Sequence, residues 1–212
     1  MVTPTLTDQI KAQGIALGFD LVGISPVQES LHGDAFLAWL RQAFHGEMAY
    51  MARTAQQRLH PAHLIPWARS VVSVALNYNT PYAQDAAEGR LRGWISRYAW
   101  GDDYHDVMQA KLDQLLAFIQ AEGGADVQGR AFVDAGPVLD RESGAHAGVG
   151  WFGKNTNLLS VKIGSFFVLG ELFLSVELPW DRPLRDRCCQ CRLCRDACPT
   201  NAFVGPYVLD AR

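Results

Sequence analysis

Ser70-Val71-Val72-Ser73-Val74-Ala75-Leu76-Asn77-Tyr78 is a near-continuous apolar run, dense in β-branched residues. Such a run reads as a strand covered on both faces, and so as the centre of a sheet rather than an edge. The segments around it alternate in type. Thr5 to Leu17 carries Leu6, Ile10, Ile15 and Leu17 at the spacing of one helical face, and Gly18 is a stop signal. Asp20 to Ile24 reads as a short strand ended by Ser25-Pro26, and Ala35 to Phe44 as a helix with Phe36, Leu37, Leu40 and Phe44 turned inward. Downstream, Asp106 to Ala121 is the longest helical stripe, formed by Val107, Met108, Leu112, Leu115, Leu116 and Ile119 and closed by Gly123-Gly124. Arg130 to Val133 is a strand feeding Asp134, and Val138 to Ala147 is helical in pattern. Leu158 to Ile163 and Ser165 to Val176 read as a hairpin around Gly164. Helices and strands thus mix, which predicts an α/β (α+β) sandwich built on a mixed sheet.

The tail is of another kind. Cys188-Cys189-Gln190-Cys191-Arg192-Leu193-Cys194-Arg195-Asp196-Ala197-Cys198-Pro199 contains, with Cys189 set aside, the spacing C-x2-C-x2-C-x3-C-P. That is the bacterial ferredoxin run that ligates a [4Fe–4S] cluster. Zinc sites use two separated C-x2-C pairs, and only one compact run is present. Disulfides are disfavoured because all five cysteines fall in this run, with none elsewhere to staple. Cys188, Cys191, Cys194 and Cys198 are therefore the candidate metal ligands, and Cys189 is a spare thiol. Pro179 to Pro183 is the expected linker, dividing residues 1–178 from a cluster-bearing unit, 179–212. Two-cluster folds need a second run, which these 212 residues do not contain. Either one cluster takes all four thiolates, or the sequence is the front portion of a longer protein.

Composition narrows the remaining classes. The chain is 49% hydrophobic and 19% charged, enough for a sizeable core, with a net charge of -3 that leaves no electrostatic footprint for nucleic acid. It has no apolar run of about 18 residues, so no membrane span is expected. No secretory signal is visible at the N-terminus. Oxygen-sensitive thiols fit a reducing cytoplasm.

Outside the cysteines, two stretches suggest chemistry. Asp134 follows a strand in Ala131-Phe132-Val133-Asp134-Ala135-Gly136-Pro137, where sites collect in α/β folds. Apolar neighbours would favour its neutral, proton-donating form; a turn residue before Gly-Pro is the equal alternative. Gly148-Val149-Gly150-Trp151-Phe152-Gly153 spells G-x-G-x-x-G, but a helix precedes it and a strand follows, the reverse of a dinucleotide site. It reads instead as a loop whose amides, with Lys154, Asn155 and Thr156, meet a polar ligand, or as a structural turn. Asp140, Arg141 and Glu142 read as a solvated helix face with one salt bridge, and His105 and His146 lack metal-ligand spacing.

Taken in order, Arg58-x-x-Pro61, Ala75-Leu76-Asn77-Tyr78, Arg97-Tyr98-Ala99 to Asp103-Tyr104-His105, Asp134-x-x-Pro137-Val138-Leu139-x-Arg141-Glu142, Gly148-x-Gly150-Trp151-x-Gly153-Lys154-Asn155-Thr156, Cys198-Pro199-Thr200-x-Ala202 and Pro206-Tyr207-x-Leu209-Asp210-Ala211-Arg212 resemble the epoxyqueuosine reductase family. The resemblance spans nearly the whole chain. It implies a nitroreductase-like sandwich that binds cobalamin, followed by the start of a ferredoxin-like [4Fe–4S] domain that holds two clusters in the family. The implied activity is reduction of epoxyqueuosine to queuosine in the anticodon loop of tRNA, with Asp134 as proton donor. An electron donor of ferredoxin or flavodoxin type, a cytoplasmic location and a monomer are expected with it. By the same resemblance Arg58, Arg97, Asp134, Lys154, Asn155, Thr156, Asn157, Leu158 and Ser160 match the parts that line cobalamin or tRNA. The competing readings are an iron–sulfur electron-transfer module on a flavin or other reductase domain, and a cobalamin-binding protein without turnover.

Overall fold

A computed structural model describes residues 4–80, 93 and 95–212. Most of the expected loop between Thr80 and Gly93 lies outside the described residues. The elements run α1 (Leu6–Ala16), β1 (Leu21–Pro26), α2 (Gly33–Arg41), α3 (Ala49–Arg53), α4 (Ala55–Leu59), α5 (Pro61–Leu64), β2 (Ser70–Asn77), α6 (Tyr104–Gly123), β3 (Gly129–Phe132), α7 (Asp140–His146), β4 (Trp151–Phe152), β5 (Leu158–Leu159), β6 (Phe167–Leu174), α8 (Leu193–Asp196), β7 (Phe203–Gly205) and β8 (Val208–Leu209).

The main sheet has the order β1-β2-β6-β3, so the Ser70 strand is internal as its composition requires. All three pairings are antiparallel, which corrects the expected mixed sheet to an antiparallel one. The expected hairpin around Gly164 is also replaced. β5 pairs back with β4, while β6 inserts between β2 and β3 and leaves only an isolated bridge between Ser160 and Gly164. The physical reason is burial: from Gly170 to Leu174 β6 is covered on both faces, a position an outlying hairpin arm could not occupy.

Alternation along the strands sorts the two faces. Ile24, Val72, Val74, Leu172 and Leu174 turn toward α1 and α6, meeting Ile10, Met108, Leu112, Leu115 and Ile119, all essentially without solvent exposure. Each such side chain contributes about 1.5–3 kcal/mol on burial. Ile15 of α1, expected inward, is instead exposed. Thr5 caps α1 through a reciprocal box with Asp8. α2 covers its side only partly: none of its residues is fully buried.

The opposite face receives α7. Its centre is polar: Ser73 and Glu171 face each other across β2 and β6, both with no solvent exposure. Apolar patches flank them, one around Val71, Phe132 and Phe173 and one around Leu21, Ala75 and Ala147. α7 comes so close that a Cβ on Gly23 would stand 2.1 Å from the Ala147 carbonyl oxygen. The Gly148 to Gly153 glycines serve packing of the same kind, since a Cβ on Gly150 would meet the Leu159 carbonyl oxygen at 2.5 Å.

The tail returns to the body at separated points. Trp39 Nε1 donates to the Leu209 carbonyl at 2.6 Å, Ala211 N to Phe44 O at 2.8 Å, and Tyr207 N to Lys154 O at 3.0 Å.

Candidate active site

Beyond β3 the chain reverses within three residues. Ala135 N–H donates to Val133 O at 2.5 Å, and Asp134 between them adopts φ +53. A residue with a Cβ in the left-handed region costs about 1–2 kcal/mol. Such strain persists only where the surroundings impose it, and it collects at functional sites. Here the bracing is visible. A Cβ on Gly136 would lie 2.1 Å from the Phe132 ring, so only glycine lets the turn close on that ring. Arg58, buried on α4, donates from Nη1 to Val138 O at 2.6 Å and from Nε to Thr54 Oγ1 at 3.0 Å. Burial pulls its guanidinium below its ordinary value, against the opposing pull of Asp140.

Asp134 itself is exposed. The apolar enclosure expected from its sequence neighbours is therefore absent, because those neighbours turn inward beneath it. Its carboxylate accepts a hydrogen bond from Tyr104 Oη at 2.8 Å. Burial, then the bond to Asp134, pushes the Tyr104 phenol well above its ordinary range, so it remains a donor at neutral pH. Tyr104 opens α6, whose first turn is capped by Asp103 accepting from His105 N at 2.9 Å. Sequence reading missed Tyr104 as a site residue; its place at a helix start three residues after Gly101 was the available signal.

From Tyr104 an aromatic series leads away: Tyr98 at 6.1 Å, Tyr78 at 6.2 Å from Tyr98, and Phe166 at 5.8 Å from Tyr78, all edge-on. Three of these rings, with Trp100, Ile95, Ser96 and Arg97, line a recess of about 380 Å³. Arg97 donates to Asn79 Oδ1 and lies 5.6 Å from the Phe166 ring centre. Asp134 thus stands one tyrosine away from an aromatic, cation-bearing recess.

The other sequence candidates divide. Leu158 and Ser160 are buried, Leu158 in the apolar cluster against α7. Thr156, at φ +66, forms the β4–β5 turn with Asn155, and its carbonyl accepts from Arg141 Nη1 at 2.7 Å. Asn155 Oδ1 accepts from the backbone N–H of exposed Asn157 at 3.3 Å. Lys154 turns toward the cysteines: its Nζ donates to the carbonyls of Cys189 and Cys191, the latter at 3.0 Å.

Cys188, Cys189, Cys191, Cys194 and Cys198 are all free thiols, exposed or half-buried. Cys191 N–H donates to Cys188 O at 2.8 Å, which folds the first C-x2-C into a turn. Among the described residues no three His, Cys, Asp or Glu side chains are gathered for a metal ion. The donor chemistry fits iron and sulfide, with four spaced thiols on one loop and a lysine beside it.

Asp140 and Glu142 do not form the solvated face that their sequence suggested. Glu142 is buried and accepts from Ser30 Oγ at 2.6 Å, Leu31 N at 2.8 Å and His32 Nδ1 at 3.0 Å. Asp140 Oδ1 is buried without a partner. Of the triplet Arg141 is exposed, Asp140 half-buried and Glu142 buried.

The family model described as epoxyqueuosine reductase QueG, DUF1730, matches residues 58–135, from the buried arginine to the strained turn. The epoxyqueuosine reductase of Cellulophaga algicola is 46% identical over 206 residues, which cover 96% of this chain and 65% of that protein. Over nearly its whole length the chain is similar to epoxyqueuosine reductases. Solved members of the family share its fold. An epoxyqueuosine reductase with a tRNA-Tyr epoxyqueuosine-modified stem loop superposes with a TM-score of 0.86 at 30% identity, over 97% of this chain and 54% of that one. A Bacillus subtilis epoxyqueuosine reductase, described with its Asp134 catalytic loop swung out of the active site, gives 0.86 at 29% identity over 97% and 54%. The chain therefore spans between half and two thirds of the length of these relatives.

Proposed function

We propose that this chain carries the catalytic body, and the first cysteine loop, of an enzyme that reduces epoxyqueuosine to queuosine in tRNA. The observation that carries the reading is Asp134: an aspartate held in a strained turn and hydrogen-bonded by Tyr104, whose ring meets the Tyr98 wall of an aromatic recess. Relatives named for this reaction, one of them solved with the modified stem loop, support it. The catalytic loop named in the Bacillus subtilis structure also fits an aspartate whose backbone is under strain.

Residues 1–178 form the catalytic unit in this reading, and 179–212 begin the cluster-bearing unit. In this reading cobalamin would lie on the recess side of the molecule, where Tyr78, Tyr98, Trp100 and Phe166 offer apolar rings and Arg97 a cation. Cys188, Cys191 and Cys194 would hold one [4Fe–4S] cluster, and Cys198 would ligate the second. Bound together, these groups supply the low-potential electrons that the epoxide needs, drawn from an external ferredoxin or flavodoxin.

The protein's own part is proton delivery and placement. Opening an epoxide to an alkene consumes two electrons and two protons and releases water. Asp134 gives the proton to the departing oxygen, which avoids expelling a bare alkoxide. Tyr104 orients that carboxyl and holds its unprotonated oxygen by donating to it. Arg58 fixes the turn from beneath through the Val138 carbonyl.

The test is Asp134→Asn in protein reconstituted anaerobically with cobalamin, iron and sulfide. Corrin binding, read from the visible spectrum, is expected to persist. Queuosine formation on an epoxyqueuosine stem loop, read by mass spectrometry, is expected to fall by about 10²–10⁴-fold. A fully active variant would remove Asp134 from the mechanism.

A further inference from the structure

The polar centre under α7 is not used by this mechanism. Glu171 lies in mid-strand on β6 with no solvent exposure, and neither of its carboxyl oxygens has a hydrogen-bond partner. Directly across on β2 is Ser73, equally enclosed, whose Oγ also lacks a partner. Above them Asp140, the first residue of α7, buries Oδ1 without a partner. Four orphaned oxygens in one enclosed spot are costly, about 1–3 kcal/mol for each unsatisfied group. Two ionised carboxylates there would cost far more, and a proton between them removes one charge and pairs one oxygen of each acid.

The location adds meaning. Glu171 pairs on its other side with Phe132 of β3, two residues before Asp134, and Asp140 is six residues after it. The turn that presents Asp134 is therefore anchored at both ends over this pair. We propose that Asp140 and Glu171 share one proton, and that this shared proton clamps α7 to β6 and so positions the Asp134 turn. They are positioning residues, and the inference rests on the reading of Asp134 as proton donor.

The surrounding charges agree. Burial is the largest influence on both acids, lifting Asp140 to about 6 and Glu171 well above its ordinary value. The charge of Asp140 and its bond oppose ionisation of Glu171, the bond from Glu171 favours ionisation of Asp140, and Asp134 on the turn opposes both. Arg58 from α4 and Arg141 on α7 favour the ionised form of Asp140. No charged group reaches the pair from β2, where Ser73 is neutral. At neutral pH the proton therefore rests on Glu171, donated to an Asp140 carboxylate that the arginines hold. For acids raised in the folded state, stability is complete below the unfolded values of 3.8 and 4.5. It is lost as pH rises through about 6 and beyond.

Infrared spectroscopy of the protein at pH 7 is expected to show a protonated-carboxyl C=O band that Glu171→Gln abolishes. The same variant is expected to flatten the decline of Tm between pH 5 and 9, because the amide still donates to Asp140 but cannot titrate. In the cofactor-loaded enzyme, Glu171→Gln is expected to keep kcat within about twofold at pH 7 and to extend turnover to alkaline pH. Glu171→Leu, which strips Asp140 of its donor, is expected to lower kcat by about ten- to a hundredfold with KM unchanged, as a displaced reacting group does. Absence of the carboxyl band in the wild type, or a Gln variant whose pH profiles match the wild type, would overturn the proposal. Loss of all epoxide reduction by the wild type would instead overturn the functional reading. The band and the Tm slope would still report on the pair.

Discussion

Asp134 and Tyr104 make a unit of two residues with separable roles. In the proposed mechanism the carboxyl is the reacting group, and the phenol sets its direction through one 2.8 Å bond. Tyr104→Phe keeps the ring that packs against Tyr98 and His105 and removes only the hydroxyl. Stability is expected to change by about 1 kcal/mol or less, the worth of one exposed hydrogen bond. Turnover is expected to fall by about tenfold or more through lost orientation. Denaturant melts beside single-turnover assays check the split; an equal loss in both would make Tyr104 structural. The aspartate was legible in the sequence as a polar residue at a strand end. Its strained turn and its tyrosine were not, because φ and a contact spanning thirty positions leave no mark in local composition.

At the scale of elements, α7 is the piece on which the site depends. It is pressed onto β1 at Gly23, where the Ala147 carbonyl leaves no room for a methyl group. Gly23→Ala must push α7 off the sheet, and a loss of about 3 kcal/mol or more is expected, in the range of severe core disruption. An unchanged Tm would show that the helix is not clamped there. The outer end of α7 is tied by Glu142, which Ser30, Leu31 and His32 of the β1–α2 connection satisfy. The bond to Glu142 raises the His32 imidazole above 6.5, and bonds from His32 and Ser30 hold Glu142 below 4.5 against the cost of burial. The histidine's contribution is complete below 6.5 and is lost as pH climbs through its raised value. The glutamate's is complete above 4.5 and is lost as pH drops through its lowered one. The tie is therefore strongest between those limits, about pH 4.5 to 6.5. Glu142→Gln is expected to flatten the acid limb of the Tm profile, and an unaltered limb would assign it elsewhere. Asp140-Arg141-Glu142 looked solvated because three charged residues in a row usually are. What overrode composition was a partner set supplied from residues 30–32, over a hundred positions away. The Ser70 strand, in contrast, was readable because burial on both faces is written into the residues themselves. The β6 pairing was misjudged because an apolar run states that a strand is buried, not which neighbour buries it.

For the molecule as a whole, the tail is bonded to the body at several separated points, and among the described residues Lys154 is the body side chain hydrogen-bonded to the cysteine loop itself. Lys154→Met keeps the side chain's length and removes its bonds to the Cys189 and Cys191 carbonyls. Limited proteolysis is expected to cut faster between residues 184 and 198, and iron retained after anaerobic reconstitution is expected to drop. Unchanged cleavage and iron content would mean that the loop holds its shape alone. Lys154 leaves the β4–β5 hairpin in one direction while Arg141 grips that hairpin's turn from the other, at the Thr156 carbonyl. The hairpin is thus a strut with one foot on the helix that follows Asp134 and the other on the thiol loop. In the proposed enzyme, electron entry at the thiol loop and the helix behind the proton-bearing turn would thus be joined through this one short hairpin.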